Sequence, residues 1–171
     1  MDNATSLIKT VSAEVTRIAN SGKAESAALR DFRTLFNTYA DVPTIARSVL
    51  GPPWRQASTS QKTAFVEAFE DYLSAKYGRQ FNEYRGARIT VTKASDQGNK
   101  GVLVYSVVSP KGASPFEVAW QVSDRSGSTR AINIFIEGVS MLSTERSEIK
   151  AMLEAQRGSL SGLIDELQTR S

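Results

Sequence analysis

The apolar residues of this 171-residue chain change their spacing near Ala87 and again after the strand that carries Ile136. Up to that first point they recur every three or four positions, as one face of a helix requires. From Ile89 to Ile136 they alternate with polar residues, which is the period of a half-buried strand. From Glu145 the helical spacing returns. Helices, then strands, then helices predict an α+β architecture: a largely antiparallel sheet covered by N- and C-terminal helices. No repeat, low-complexity tract or linker interrupts the chain, so residues 1–171 read as a single domain.

The helical part divides at its punctuation. Leu7, Val11, Val15 and Ile18 form one face, which Asn20-Ser21-Gly22 ends. Leu29, Phe32, Leu35, Phe36 and Tyr39 follow on a helix from about Glu25. Asp41 is placed to cap a short third helix bearing Val42, Ile45, Ala46, Val49 and Leu50. Gly51 then supplies positive φ, and Pro52 and Pro53 cannot continue a helix, which leaves a stiff corner carrying Trp54. Ser58 and Gln61 make a capping box before Phe65, Ala68, Phe69, Tyr72 and Leu73, on a helix expected to stop near Gly78.

Among the strands, Ile89 and Val91 alternate with threonines. Residues 102–108, VLVYSVV, are apolar on both faces apart from Ser106, which predicts a central strand covered on both sides. Phe116, Val118, Trp120 and Val122 alternate in the next strand, and Ile132, Ile134 and Ile136 form the inward set of a fourth. A helix is expected over Glu145 to Gln156, with Ile149, Met152 and Leu153 inward. Beyond Gly158 a last helix carries Leu160, Leu163, Ile164 and Leu167.

Composition removes several kinds of chemistry. With no Cys and no His, the chain has no thiol nucleophile, disulfide, Cys/His zinc site or Ser-His-Asp triad. The net charge of +3 is spread without a basic block, which argues against a nucleic-acid partner. No Gly-rich phosphate loop and no carboxylate cage for a metal is spelled out, and no cofactor is expected. The one catalytic suspect is Glu137, a carboxylate beside Gly138 at the end of an apolar strand. Buried, its pKa would rise and it would serve as a base; otherwise it simply marks the strand end. Tyr72, Tyr77 and Tyr84 read as core-edge residues with wet hydroxyls or as donors in a pocket. The large apolar side chains of residues 59–77 and of the sheet suit either a filled core or a cavity between the layers.

Three segments, FRTLFNTYADVPTIARSVLGPPWRQAS, QKTAFVEAFEDYLSAKYGRQFNEYRG and IEGVSMLSTERSEI, resemble the MlaC (toluene-tolerance) family of periplasmic phospholipid-binding proteins. They carry its LG-x-x-W/Y-R/K-x-A-S corner, the Gln61, Phe65, Phe69 helix, and EGVSM at 137–141, in family order. Ser128-Thr129-Arg130 stands where many relatives have an aromatic residue. The resemblance implies an NTF2-like fold, a curved antiparallel sheet wrapped by helices with a deep apolar pocket between. It also implies a monomeric, non-enzymatic carrier of phospholipid. Such carriers shuttle lipid between an outer-membrane lipoprotein complex and an inner-membrane ABC transporter with its MCE-domain subunit. A branch of the family is associated with hopanoids, so a polycyclic lipid is the alternative ligand.

Pocket residues expected from their apolar faces are Val49, Leu50, Phe65, Phe69, Leu73, Tyr105, Val107, Val118, Trp120, Ile134, Ile136, Val139, Met141 and Met152. Lys76, Arg79, Arg85, Arg146 and Lys150 are candidates for docking to membrane-bound partners. Met1-Asp2-Asn3 is not the start of a secretory signal, yet the resemblance implies export, so a signal is expected in the precursor. Two rival readings stay open: an isomerase or dehydratase with Glu137 as base, and a protein-binding module using Val49 and Trp54 as an exposed patch.

Overall fold

Five strands form one antiparallel sheet in sequence order: β1 (Arg88–Asp96), β2 (Val102–Ser109), β3 (Phe116–Ser123), β4 (Arg130–Ile136) and β5 (Val139–Ser140). The computed structural model describes residues 1–171. Seven helices accompany the sheet: α1 (Asp2–Ala19), α2 (Glu25–Tyr39), α3 (Val42–Leu50), α4 (Pro53–Gln56), α5 (Thr59–Asn82), α6 (Met141–Ala155) and α7 (Leu160–Thr169). The fold is α+β with an open sheet.

One face of the sheet is covered. Ladder partners Val104, Trp120 and Ile134 stand in one row on it, and Ser106, Val118 and Ile136 in the next. Against this face α1 packs on β1, β2 and β3, while α3 and α6 pack on β4. Ile8, Val11, Val15 and Ile18 of α1 are all at least 97% buried, so the first helical stripe is the sheet's main cover. Behind these, α5 lies against α2, α3 and α7.

The other face is open, which corrects the expectation of a doubly covered β2. Only Val104, Ser106 and Val108 of that strand are buried. Leu103, Tyr105 and Val107 point the other way and are half-buried, because no helix lies on that side. Lys93 covers part of it, its ammonium 4.8 Å from the Tyr105 ring centre.

Local signals set most element ends. Asp41 accepts from the Thr44 N–H, and Gly51 closes α3 at φ 71°. Ser58 and Gln61 form both hydrogen bonds of the capping box, at 3.1 and 3.0 Å. The corner after Gly51 is not bare loop but the single turn α4.

Two helix boundaries differ from expectation. The helix from Ser58 does not stop at Gly78; it runs on to Asn82. Gly78 is there for space: a Cβ on it would lie 3.0 Å from Leu29 Cδ2 and 3.2 Å from Phe32 Cβ, where α2 crosses α5. The helix expected at Glu145 starts a turn earlier at Met141, because the Ser140 hydroxyl accepts from the Ser143 N–H.

Arg130, in the Ser-Thr-Arg stretch, joins the layers. Its guanidinium donates to the carbonyls of Asn37, Thr38 and Ala40 at 3.1–3.4 Å, ending α2 where free carbonyls and the helix dipole favour a cation.

Candidate functional site: an apolar cavity between sheet and helices

The stripe Phe65, Phe69, Leu73, Tyr77 and Phe81 advances four residues at a time along α5. Four residues turn a helix by 40° more than one revolution, so the stripe winds slowly around the helix. Its first part is solid core, where Phe65 and Phe69 stack at 5.8 Å and are fully buried. Its last part, Leu73, Tyr77 and Phe81, walls a cavity.

Phe36 of α2 and Ala40 just beyond it close this cavity, with Val42 and Ile45 from α3 and Met141 from α6. Trp120, Ala131, Asn133 and Ile134 close it from the sheet, and every lining residue is hydrophobic except Asn133. Its volume is about 50 Å³.

The polar groups at its edge are satisfied inside the protein. The Asn133 amide donates to the Ser140 hydroxyl at 3.0 Å, and its carbonyl accepts from the Leu142 N–H at 3.1 Å, which fastens the start of α6 to β4. The Trp120 indole N–H donates to Ser106 Oγ at 3.3 Å, and that hydroxyl donates to the Val118 carbonyl. Ser106, the one polar residue of β2's VLVYSVV run, thus holds the Trp120 ring at the cavity wall.

A buried carboxylate lies behind Tyr77. Glu145 of α6 has no exposed surface, and it accepts from the Tyr72 hydroxyl at 2.7 Å, the Tyr77 hydroxyl at 3.0 Å and the Lys76 ammonium at 2.7 Å. Lys76 also reaches Glu148 at 2.8 Å, and Tyr72 lies 2.9 Å from the same carboxylate.

The environment shifts these groups in ways that follow from burial and charge. Burial, reinforced by Glu145, pushes both tyrosine hydroxyls far above the ordinary tyrosine range, so they remain donors. Burial alone would lower Lys76, but its hydrogen bonds to Glu145 and Glu148 outweigh that and raise it. Burial likewise acts to raise Glu148, and the bonds from Lys76 and Tyr72 overcome it, leaving the carboxyl below its ordinary value. This cluster ties α5 to α6 and presents no free group to the cavity.

Of the residues picked out by apolar pattern, Leu73, Trp120, Ile134 and Met141 line the cavity. Val49, Leu50, Phe65, Phe69, Val118 and Met152 are buried among other core side chains, and Ile136 is half-buried on the covered sheet face. Tyr105 and Val107 lie on the open face, because odd-numbered positions of β2 alternate away from Val104 and Ser106. Val139 is 62% exposed, since it follows the hairpin turn instead of continuing the wall. The cavity residues that pattern missed include Tyr77 and Phe81. Both continue the four-residue stripe, and ending the helix at Gly78 hid the second of them.

Glu137 is exposed, not buried. It and Gly138 take φ of 50° and 81° in a two-residue turn that returns β4 to β5, so its carboxylate lies in solvent, away from the cavity. Val49 is 2% exposed, which leaves no Val49–Trp54 patch.

The proposed docking cations are not all free. Lys76 is held by Glu145 and Glu148, Arg79 lies 3.3 Å from Glu25, and Arg146 donates to the Ser48 carbonyl and hydroxyl. Arg85 and Lys150 are exposed and make no ion pair. No helix is long and apolar enough to cross a membrane.

Two comparisons bear on this arrangement. The family model described as "MlaC protein" matches residues 9–169. A solved structure from Ralstonia solanacearum, described as a phospholipid-binding protein in complex with a phospholipid, superposes with a TM-score of 0.82. It is 20% identical, and the match covers 98% of this chain and 96% of that one.

Proposed function

The chain belongs to the MlaC family, and on that premise we propose that it is a phospholipid carrier. The observation that carries the reading is the apolar cavity between sheet and helices, whose wall is hydrophobic except for Asn133. Such a wall offers dispersion contacts and little hydrogen bonding, which suits acyl chains and suits no polar substrate. The phospholipid held by the Ralstonia solanacearum protein of the same fold supports the ligand class.

Two acyl chains of roughly 30 methylenes in total, at about 0.8 kcal/mol each, are worth some 24 kcal/mol against water. A dry pocket therefore removes the barrier to crossing an aqueous space. At about 50 Å³ the cavity has room for only a few waters, so loading widens it by parting the helices from the sheet. Packing of wall against wall then gives way to packing of wall against acyl chain, so an apolar cavity opens at little net cost.

In this reading the protein works in the periplasm. It takes lipid from one membrane-bound complex, an outer-membrane lipoprotein assembly, and delivers it to another, an inner-membrane ABC transporter with an MCE-domain subunit. Family membership supports that route. No catalytic step is required in this reading, and Glu137, the base of the rival one, is solvent-exposed.

Mass spectrometry of an organic extract of the purified protein tests the proposal. Co-purified two-chain phospholipid is the expected result. A polycyclic lipid would reassign the ligand class. Protein that stays empty after incubation with phospholipid vesicles would overturn carriage.

A further inference from the structure

Helix α3 has two functional sides. Val42 and Ile45 face the cavity, whereas Thr44, Arg47 and Ser48 line an open cleft of about 560 Å³ on the outer side. The cleft is completed by Gly51, Pro52, Trp54 and Arg55, and no acidic residue lines it. Arg47 and Arg55 are exposed and neither is paired with a carboxylate. A third guanidinium stands at the edge, where Arg146 donates to Ser48 Oγ at 2.9 Å. Lys62 places its ammonium 5.4 Å from the Trp54 ring centre, on the side of that ring where a shallower groove runs past Pro43 and Val66 to Glu67.

We propose that this cleft docks the protein on a phospholipid bilayer by binding the phosphates of anionic head groups. Guanidinium groups match phosphate oxygens in forked geometry. A free phosphate would need only the cations. The cleft adds exposed Pro52 and a partly buried Trp54 among those cations, and the adjoining groove adds exposed Pro43, which is the mixture that settles at a head-group interface. The site is not a subsite of the cavity, since α3 stands between them. Docked in this way, the chain would hold its cavity one helix away from the leaflet.

Co-sedimentation with vesicles tests the proposal, using phosphatidylglycerol mixed with phosphatidylcholine against phosphatidylcholine alone. The wild type is expected to pellet with the anionic vesicles, less so as salt rises, with a blue shift in emission that Trp54→Phe removes. The double variant Arg47→Glu/Arg55→Glu should bind roughly tenfold or more weakly. If that variant loses its cooperative melt, Arg47→Gln/Arg55→Gln and the salt dependence of the wild type carry the same reading. Wild-type protein that ignores anionic vesicles, or charge-changed protein that binds them equally well, overturns it. So does competition by inorganic phosphate or polyglutamate as effective as the vesicles at equal charge, which would mark a general anion or acidic-polypeptide site. Lipid content is measured separately, so protein that docks but carries no lipid refutes the carrier and not the docking.

Discussion

The Tyr77 hydroxyl donates to the Glu145 carboxylate across 3.0 Å while the ring of the same tyrosine forms cavity wall. One side chain thus connects the apolar site to a buried charge. Removing Glu145 would leave the Tyr77 hydroxyl without its acceptor, and the Tyr72 hydroxyl and Lys76 with Glu148 alone.

Glu145→Ala should therefore destabilise the fold by about 2–4 kcal/mol, as loss of one member of a buried network does. Glu145→Gln keeps an acceptor and should cost about half as much. Urea unfolding of both variants checks the order. Equal stability of wild type and Glu145→Ala would mean that the cluster contributes nothing net.

The same cluster predicts how stability depends on pH. The folded pKa of Glu148 is lowered from 4.5, so its contribution is present above that value and is lost as pH falls through the folded pKa. Lys76 is raised from 10.5, so its contribution holds below that value and is lost as pH rises beyond it. Tyr72, Tyr77 and Tyr84 shift upward too, Tyr84 to about 12 through burial, and add to the alkaline loss from about pH 10. Melting temperatures from pH 3 to 11 should fall at both ends. Glu148→Gln should flatten the acid limb modestly, because that carboxylate is partly solvated. An unchanged acid limb in that variant would count against the assignment.

The two sheet faces should respond differently to the same substitution. Ile134→Asp puts a carboxylate into the apolar wall, where it costs several kcal/mol to desolvate, and should empty the cavity of lipid. Val107→Asp lies on the open face and should leave lipid content unchanged, as should Glu137→Gln. Extracted lipid per folded protein is the readout, with a cooperative melt required first. Normal loading of folded Ile134→Asp would displace the cavity wall. Loss of a turnover activity in Glu137→Gln would instead favour an enzyme.

Gly78 tests packing against propensity. Alanine is the better helix former by about 1 kcal/mol. At this crossing its Cβ would press on Phe32 Cβ, which is fixed to a fully buried position on α2. Overpacking typically costs about 1–3 kcal/mol, so Gly78→Ala should be neutral to destabilising and Gly78→Val clearly worse. A stabilised Gly78→Ala protein would show that α2 yields easily.

The sequence by itself determined whatever depends on near neighbours in the chain. The change of period at Ala87, the caps at Asp41 and Ser58, and the close of α3 at Gly51 all involve residues within a turn of one another. The tertiary structure decided which apolar residues meet across the core. Pattern makes β2 apolar on both faces and predicts cover on both, but only the placement of α1 on one side buries Val104 and leaves Tyr105 and Val107 open. A glycine reads locally as a stop, and only the crossing of α2 over α5 turns Gly78 into a contact and extends the wall to Phe81. Glu145 looks like any helix-surface acid until folding brings it donors from 68 to 73 positions away. Burial, partner and cavity volume are properties of the space between elements, and no spacing along one element encodes that space.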